Sequence, residues 1–206
     1  MKNYDVIIVG GGPAGLSCAI TLASANDRFD WSKNRSYLII DNSGASDLLK
    51  AEINNVAGIP KGTNGKELLQ QIKNQALEYE NVEIKEGRVV EAKEENGKFI
   101  VKTENGEIFE GSILVLATGF HEFSIEGLNV EVVENIRAPR PGKVMVKHDG
   151  NFKVRENLYV AGNIAGCSTM FAAAIGSGAQ VACDIMSKWA GKNVVIHDVP
   201  SANASA

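Results

Sequence analysis

The residues in this chain that could do chemistry begin with three glycines. Gly10, Gly12 and Gly15, in VIIVGGGPAGLSCAI, form the pattern G-x-G-x-x-G. In such a turn the first glycine permits the tight bend. The second lets the backbone approach a pyrophosphate, and the third lets the helix pack closely on the strand. The helix that opens there presents free N–H groups and a partial positive charge to the phosphates. The pattern gains weight from its context, because it follows an apolar strand and precedes a second strand, YLIID, ending in Asp41. An acid in that place accepts hydrogen bonds from an adenosine ribose. It usually lies ~20 residues beyond the glycines; here the polar stretch from Asn26 to Ser36 adds a loop. The fingerprint alone does not separate FAD from NAD(P), and a glycine turn that binds nothing remains the bland alternative.

Other reactive side chains are sparse. Cys167, in GNIAGCSTMF, lies just before the last helix, whose N-terminus would lower a thiol pKa. It is a candidate redox residue, against the plainer reading of a small residue in a glycine-rich loop. His121 follows ATGF and is a candidate proton donor, against a solvated linker histidine. Cys18 and Cys183 fall at apolar helical positions and read as core. His148 and His197 carry no signal, and Trp31 and Trp189 read as packing. With three cysteines and no CxxC spacing, neither a disulfide framework nor a metal site is expected.

The elements that must position these residues follow from hydrophobic pattern. YDVIIVG, YLIID, SILVLATG and NLYVAGN are continuous apolar runs typical of parallel strands buried on both faces. KELLQQIKNQALEYE has helical spacing, and the small-residue run STMFAAAIGSGAQVACDIMSKWAG reads as a last helix ending at Gly191. Gly176 and Gly178 suit close packing there, expected against the first strand. From Arg88 to Phe109 short strands alternate with Asn96-Gly97 and Asn105-Gly106, two-residue hairpin signals that predict a three-stranded antiparallel meander. The stretch from Asn42 to Gly65 reads as one long loop, and RAPRPGK as a rigid turn. The fold class expected is α/β: a Rossmann-like domain with a central parallel sheet, the small meander, and helices on both faces. Residues 1–190 read as a single domain and 191–206 as a C-terminal extension. In that extension KNVVIHDVP is a possible arm onto a neighbour, and SANASA a disordered tail.

Composition narrows the partners. The 206 residues carry a net charge of −4 and are 44% apolar, ordinary for a globular protein with a real core. Mild acidity gives no reason to expect nucleic acid or an anionic membrane. No apolar run reaches the roughly 20 residues a bilayer demands. The opening residues lack a cleavage-type signal segment. A cytoplasmic protein with reduced thiols is the expectation.

The motifs taken together carry a resemblance. GGGPAGLSCAI, INNVAGIP after the acid, LVLATG, and LYVAGN followed by a helix with GSG stand in the order of the FAD domain of thioredoxin reductase-like flavoproteins. That domain belongs to the pyridine-nucleotide-disulfide oxidoreductase group, and the chain resembles it over roughly residues 4–119 and 143–190. The resemblance implies FAD as cofactor. Gly10, Gly12, Pro13, Ala14 and Gly15, with Asp41 and Asn42, would hold its ADP half. Asn55 would lie close to the flavin, with Val89 also at the cofactor, and Ala117, Thr118 and Gly119 near its middle. Gly162 and Asn163 would face the ribityl chain or pyrophosphate. The family usually has Asp where Asn163 stands, so a negative charge is removed. The helix opening at Met170, Phe171 and Ala172 would aim its dipole at the flavin pyrimidine. The family also tends to a polar pair where this chain has Thr169-Met170, which leaves backbone contacts there.

In that family ATG leads into a whole NADPH domain with its own fingerprint before the chain returns. Here residues 120–142 form only a short crossover, with no second G-x-G-x-x-G. The function expected is therefore an FAD-binding oxidoreductase fed by a partner protein or small molecule. The basic segment of Arg137, Arg140 and Lys143 could dock an acidic carrier or simply be a rigid crossover. The alternatives are a flavin-binding sensor or subunit without turnover, and an NAD(P)-binding protein. A homodimer is expected from the family's habit and the small-residue helices.

Overall fold

The computed structural model describes residues 2–26 and 28–197. Five strands form the parallel sheet: β1 (Lys2–Val9), β2 (Tyr37–Asp41), β5 (Val82–Glu86), β8 (Ile108–Leu116) and β12 (Leu158–Val160). Their order is β12-β8-β1-β2-β5, with β11 (Lys153–Arg155) antiparallel at the β12 edge. β1 pairs Val9 with Ile40 of β2 on one side and with Leu116 of β8 on the other. Its Val6, Ile7 and Ile8 are wholly buried, as a run apolar on both faces requires.

Alternate residues of this sheet feed two cores. Val6, Ile8, Ile39, Val115 and Tyr159 face the helices α1 (Pro13–Ala23), α2 (Gly65–Leu77) and α3 (Phe171–Ala190). Ile7, Val9, Ile40, Leu114 and Val160 face residues of strands and loops instead. The cover on that side is the hairpin of β6 (Val89–Glu95) and β7 (Lys98–Thr103), with Ile125, Leu128 and Val146 of the crossover. The helices thus occupy one face, not both as the sequence pattern suggests. A β-hairpin and a crossover supply the apolar cover that a second helical layer would otherwise give.

The meander exists, but its third strand is β8 itself. β7 pairs with Ile108–Gly111 while β1 pairs with β8 from Phe109 onward, so meander and central sheet are continuous. Asn96 and Gly97 both take positive φ, as a two-residue primed turn demands. Around Asn105 only Gly106 does, and Gly106 N–H donates to the Thr103 carbonyl. That is a three-residue loop with glycine in the left-handed position, not the two-residue turn read from the dipeptide.

The stretch from Asn42 to Gly65 is also more ordered than its composition suggests. It holds a three-ten turn, Asp47–Lys50, started by Ser46, whose side chain accepts from Leu48 N–H. It also holds the short antiparallel pair β3 (Glu52–Ile53) and β4 (Thr63–Asn64). Within the crossover, β9 (Val132–Glu134) and β10 (Val144–Val146) form a hairpin whose tip contains RAPRPG.

Helix α3 ends at Gly191 in the left-handed conformation, as read. Its Gly178 packs on α1, not on the first strand, while Gly176 faces open space. After it, Val194 and Ile196 fold back on the helical core of their own chain, and Val194 N–H donates to Ser187 Oγ. Asp198 to Pro200 of the KNVVIHDVP segment and the SANASA tail lie outside the described residues. No helix among the described residues is long and apolar enough to cross a membrane.

Trp31 stacks on Phe29, and Trp189 lies under the Arg35 guanidinium at 4.4 Å, so both indoles pack within the chain. His148, silent in the sequence, accepts at Nδ1 from Gly150 N–H and Phe152 N–H and fixes the turn before β11.

Candidate functional site

In an open α/β sheet, ligands lie beyond the carboxyl ends of the strands where chain order reverses. Here the chain moves from β1 to β2 in one direction and reaches β8 in the other, so the reversal falls between β1 and β8. A cleft of about 650 Å³ opens there. Its floor is the turn after β1 and the turn after β8, and these are locked together. Ala117 N–H donates to the Val9 carbonyl at 2.8 Å, and Gly10 has φ 117° with the Ala117 carbonyl where a Cβ would be. Only glycine fits at position 10 on both counts.

Two helix N-termini meet this cleft. α1 follows Gly12 and starts on Pro13; α3 follows Met170 and starts on Phe171. Neither has a side-chain cap or an acid in its first turn, so the N–H groups and dipole of each are uncompensated. Between them, two polar atoms are buried without a partner: Thr118 Oγ1 and Asn163 Oδ1. Buried polar groups are normally satisfied, so a pair of orphans in one cleft marks where ligand atoms belong. The loop that carries Asn163 is itself held firmly. Gly162 N–H donates to the buried Ser177 Oγ at 2.8 Å, and Asn135 Nδ2 donates to the Asn163 carbonyl at 3.0 Å.

Asp41 closes one end. Its Oδ1 accepts Gly11 N–H at 3.2 Å, and its Oδ2 is paired at 2.5 Å with Lys73 Nζ from α2. At the mouth His121 spans two segments, with Nε2 3.1 Å from Asp47 Oδ1 and Nδ1 2.9 Å from Lys143 Nζ. Arg140 and Lys143 bring the crossover tip to the same rim.

Of the residues singled out in the sequence, Gly10, Gly12, Pro13, Ala14, Asp41, Asn42 and Val89 line the cleft. So do Ala117, Thr118, Gly119, Gly162, Asn163, Met170, Phe171 and His121. Gly15 does not: it is buried behind the turn, where a Cβ would meet the Gly10 carbonyl. Asn55 is exposed beside the cleft, its amide 4.0 Å from Met170 Sδ. Ala172 is exposed on α3 and Cys167 lies outside the lining. The lowered thiol expected of Cys167 is not found. Burial pushes its pKa up, against weaker lowering by Ser177 and Arg137. Burial also raises Cys183, and raises the fully buried Cys18 far above the ordinary thiol range.

The sequence reading missed Lys73, Ser46, Asp47, Arg88, Asn135 and Ser177. A serine before an acid, as in Ser46-Asp47, signals a turn start and was legible in principle. Lys73 was not, because it sits on a helix with ordinary amphipathic spacing and meets Asp41 only in three dimensions.

Comparison with known proteins agrees with the geometry. A family model for an FAD binding domain matches residues 5–29. Thioredoxin reductase of Aquifex aeolicus is 33% identical over 121 residues, covering 59% of this chain and 35% of that protein. Ferredoxin–NADP reductase 1 of Listeria monocytogenes is 30% identical over 168 residues, covering 73% of this chain and 48% of that protein. The chain thus spans half or less of the length of these relatives. A solved thioredoxin reductase from Gloeobacter violaceus shares the fold with a TM-score of 0.72 at 19% identity, over 97% of this chain and 99% of that chain.

Proposed function

We propose that this chain, an FAD-binding domain of the thioredoxin reductase type, serves an oxidoreductase whose flavin takes electrons from a partner protein or small molecule. In this reading no NADPH domain inserted in the chain delivers them. The observation that carries the proposal is the connection from β8 to β12. Where a second nucleotide domain would stand, it holds only the β9–β10 hairpin, the short edge strand β11 and their loops, and the sequence has one glycine fingerprint. The ferredoxin in the name of the Listeria relative marks one class of donor that would suit.

The cleft fits FAD on its own features. Its volume lies in the range of cofactor sites. The glycine turn leaves a cradle that a Cβ would fill, and the orphaned Thr118 Oγ1 and Asn163 Oδ1 await partners. When bound, FAD supplies the capacity to accept electrons and pass them on singly or in pairs. Gly10 to Gly12 and the α1 N-terminus would hold the pyrophosphate with backbone N–H groups. Asp41 would take the ribose hydroxyls, while Thr118 and Asn163 would bond the middle of the molecule. The α3 N-terminus places its positive end at the far side of the cleft, where it favours negative charge. His121, bonded to Asp47, stands at the mouth as a group able to hold or move a proton.

The test is an anaerobic visible spectrum of the purified protein with NADH, NADPH and dithionite added in turn. Flavin bands bleached by dithionite and by neither nucleotide are expected. Rapid bleaching by NADPH refutes the proposed electron entry.

A further inference from the structure

We infer that Lys73 is a positioning residue for the dinucleotide, acting through Asp41 to keep the adenosine end of the cleft from repelling the pyrophosphate. Asp41 is largely buried, at 9% exposure, and sits against the glycine turn, where a Cβ on Gly11 would overlap its carboxylate. A bare carboxylate there faces a ligand carrying two phosphate charges. The uncapped α1 N-terminus offsets only a fraction of a charge. Lys73 Nζ at 2.5 Å from Oδ2 supplies the missing positive charge from the side away from the turn, leaving Oδ1 on Gly11 N–H.

The lysine is held in register by the way α2 is built. Asn64 caps α2 by accepting from Lys66 N–H and Glu67 N–H. Gly65 N–H donates to the Ala51 carbonyl, and Gly65 lies so close to the Leu48 carbonyl that a Cβ would overlap it. α2 is therefore anchored to the same segment that walls the cleft through Ser46 and Leu48. Neither residue of the pair is more than about a quarter exposed, so their interaction is far less screened than a surface ion pair. Asp41 has this role only with the adenosine half of the dinucleotide at its end of the cleft, the placement proposed above.

The experiment titrates apoprotein with FAD, and separately with ADP, which carries the ribose and pyrophosphate without the flavin. Wild type, Lys73→Met, Lys73→Arg and Asp41→Asn/Lys73→Met are compared, with apoprotein melting measured in parallel. Lys73→Met is expected to weaken both ligands about tenfold at low salt, because the unpaired Asp41 carboxylate is left to repel the phosphates across the cleft. The deficit shrinks between about 20 mM and about 500 mM KCl, because salt screens the repulsion that Asp41 then exerts. Lys73→Arg stays near wild type, and the double variant binds more tightly than Lys73→Met, since the offending charge is gone. A Lys73→Met protein that binds like wild type overturns the assignment. So does a double variant no tighter than Lys73→Met, an effect on FAD without one on ADP, or a loss that follows the melting temperature and ignores salt. Wild-type protein that binds neither ligand overturns the placement in the cleft as well.

Discussion

Two glycines separated by one residue in α3 should respond to the same substitution in opposite directions. Gly178 lies at the crossing of α3 and α1. A Cβ built there falls 2.0 Å from the Ala14 carbonyl oxygen and 3.0 Å from Cys18 N. That is roughly an ångström and a half inside ordinary contact, and the obstacle is backbone, which no rotamer change removes. Overpacking of this kind costs about 1–3 kcal/mol or more, and the rigid obstacle puts this site at the upper end. Alanine in a helix interior returns ~1 kcal/mol over glycine. The net expectation for Gly178→Ala is a loss of about 2 kcal/mol, or about 4–8 °C in melting temperature for a chain of this size. Because Ala14 sits in the first turn of α1, the displacement also reaches the glycine turn, and FAD affinity should fall with stability. At Gly176 nothing stands within 4 Å, so Gly176→Ala keeps only the helical gain and should stabilise by up to ~1 kcal/mol. Thermal melts of the apoproteins and FAD titrations of both variants decide the matter. A Gly178→Ala protein as stable as wild type, or a Gly176→Ala protein that loses as much, refutes the account of this helix crossing.

Ser177→Ala strips the partner from the buried Gly162 N–H, which should cost about 1–3 kcal/mol. It should also weaken FAD binding through Asn163; an unchanged affinity in a titration counts against that loop. Ile136→Ser at the crossover tip alters a side chain that is 89% exposed and outside the cleft lining, and FAD affinity should stay within about twofold because exposed loop tips tolerate change. Loss of bound flavin on purification counts against that. Tyr4 donates to Glu83 at 2.7 Å, and burial with that bond pushes its pKa to about 12. Its contribution is intact below pH 10 and lost as pH rises through the folded value. Glu83, bonded by Lys2 and Tyr4, is lowered, so its share is present above the ordinary carboxylate range and lost as pH falls through its depressed pKa. Tyr4→Phe should therefore flatten both limbs of a melting-temperature profile against pH. In native protein a disulfide reagent near neutral pH should leave Cys18 untouched and modify Cys167 and Cys183 slowly; fast labelling of Cys167 would restore it as a reactive thiol.

What the sequence revealed is what local periodicity and backbone stereochemistry determine. The four apolar runs had to be strands buried on both faces, and the glycine turn between strand and helix had to lie at a sheet edge. The chain order alone brought Ala117 and Gly162 to the same edge. What escaped depends on contacts far apart in sequence. That the helices share one face follows from how the β6–β7 hairpin and the crossover fill the other, and no helix announces its side. The fusion of the meander with β8 was hidden because the meander reads as ending at Phe109 and the next strand as starting at Ser112. Gly111 between them makes a close approach, with Ile7 where a Cβ would stand. For Cys167, proximity to a helix N-terminus was visible, while the extent of burial that decides between a reactive thiol and a packed one was not. Lys73 shows the same limit from the other side: the acid was legible, and the cation that balances it was not.

The crossover from β8 to β12 separates two jobs that sequence inspection merges. The parallel strands β8 and β12 pair Leu114 with Leu158 and Leu116 with Val160 through their own backbones. Parallel neighbours need only a connection long enough to return the chain to the starting edge. The cleft depends on the ends of those strands, not on what the connection contains, so the same FAD cradle tolerates a domain or a hairpin in that place. The connection is still not idle. Ile125, Leu128 and Val146 bury themselves against the sheet face that the helices leave bare, and His121 and Lys143 bridge to Asp47 across the mouth of the cleft. The tip is different. Ile136 is 89% exposed, and Arg140 has no acid near it in IRAPRPGK. Buried residues of the crossover serve the fold and the bridge serves the cleft. Under the electron entry proposed above, the exposed tip at Ile136 is the part left free to meet a donor, and the donor-dependent rate of flavin reduction should respond to a change there while FAD binding does not.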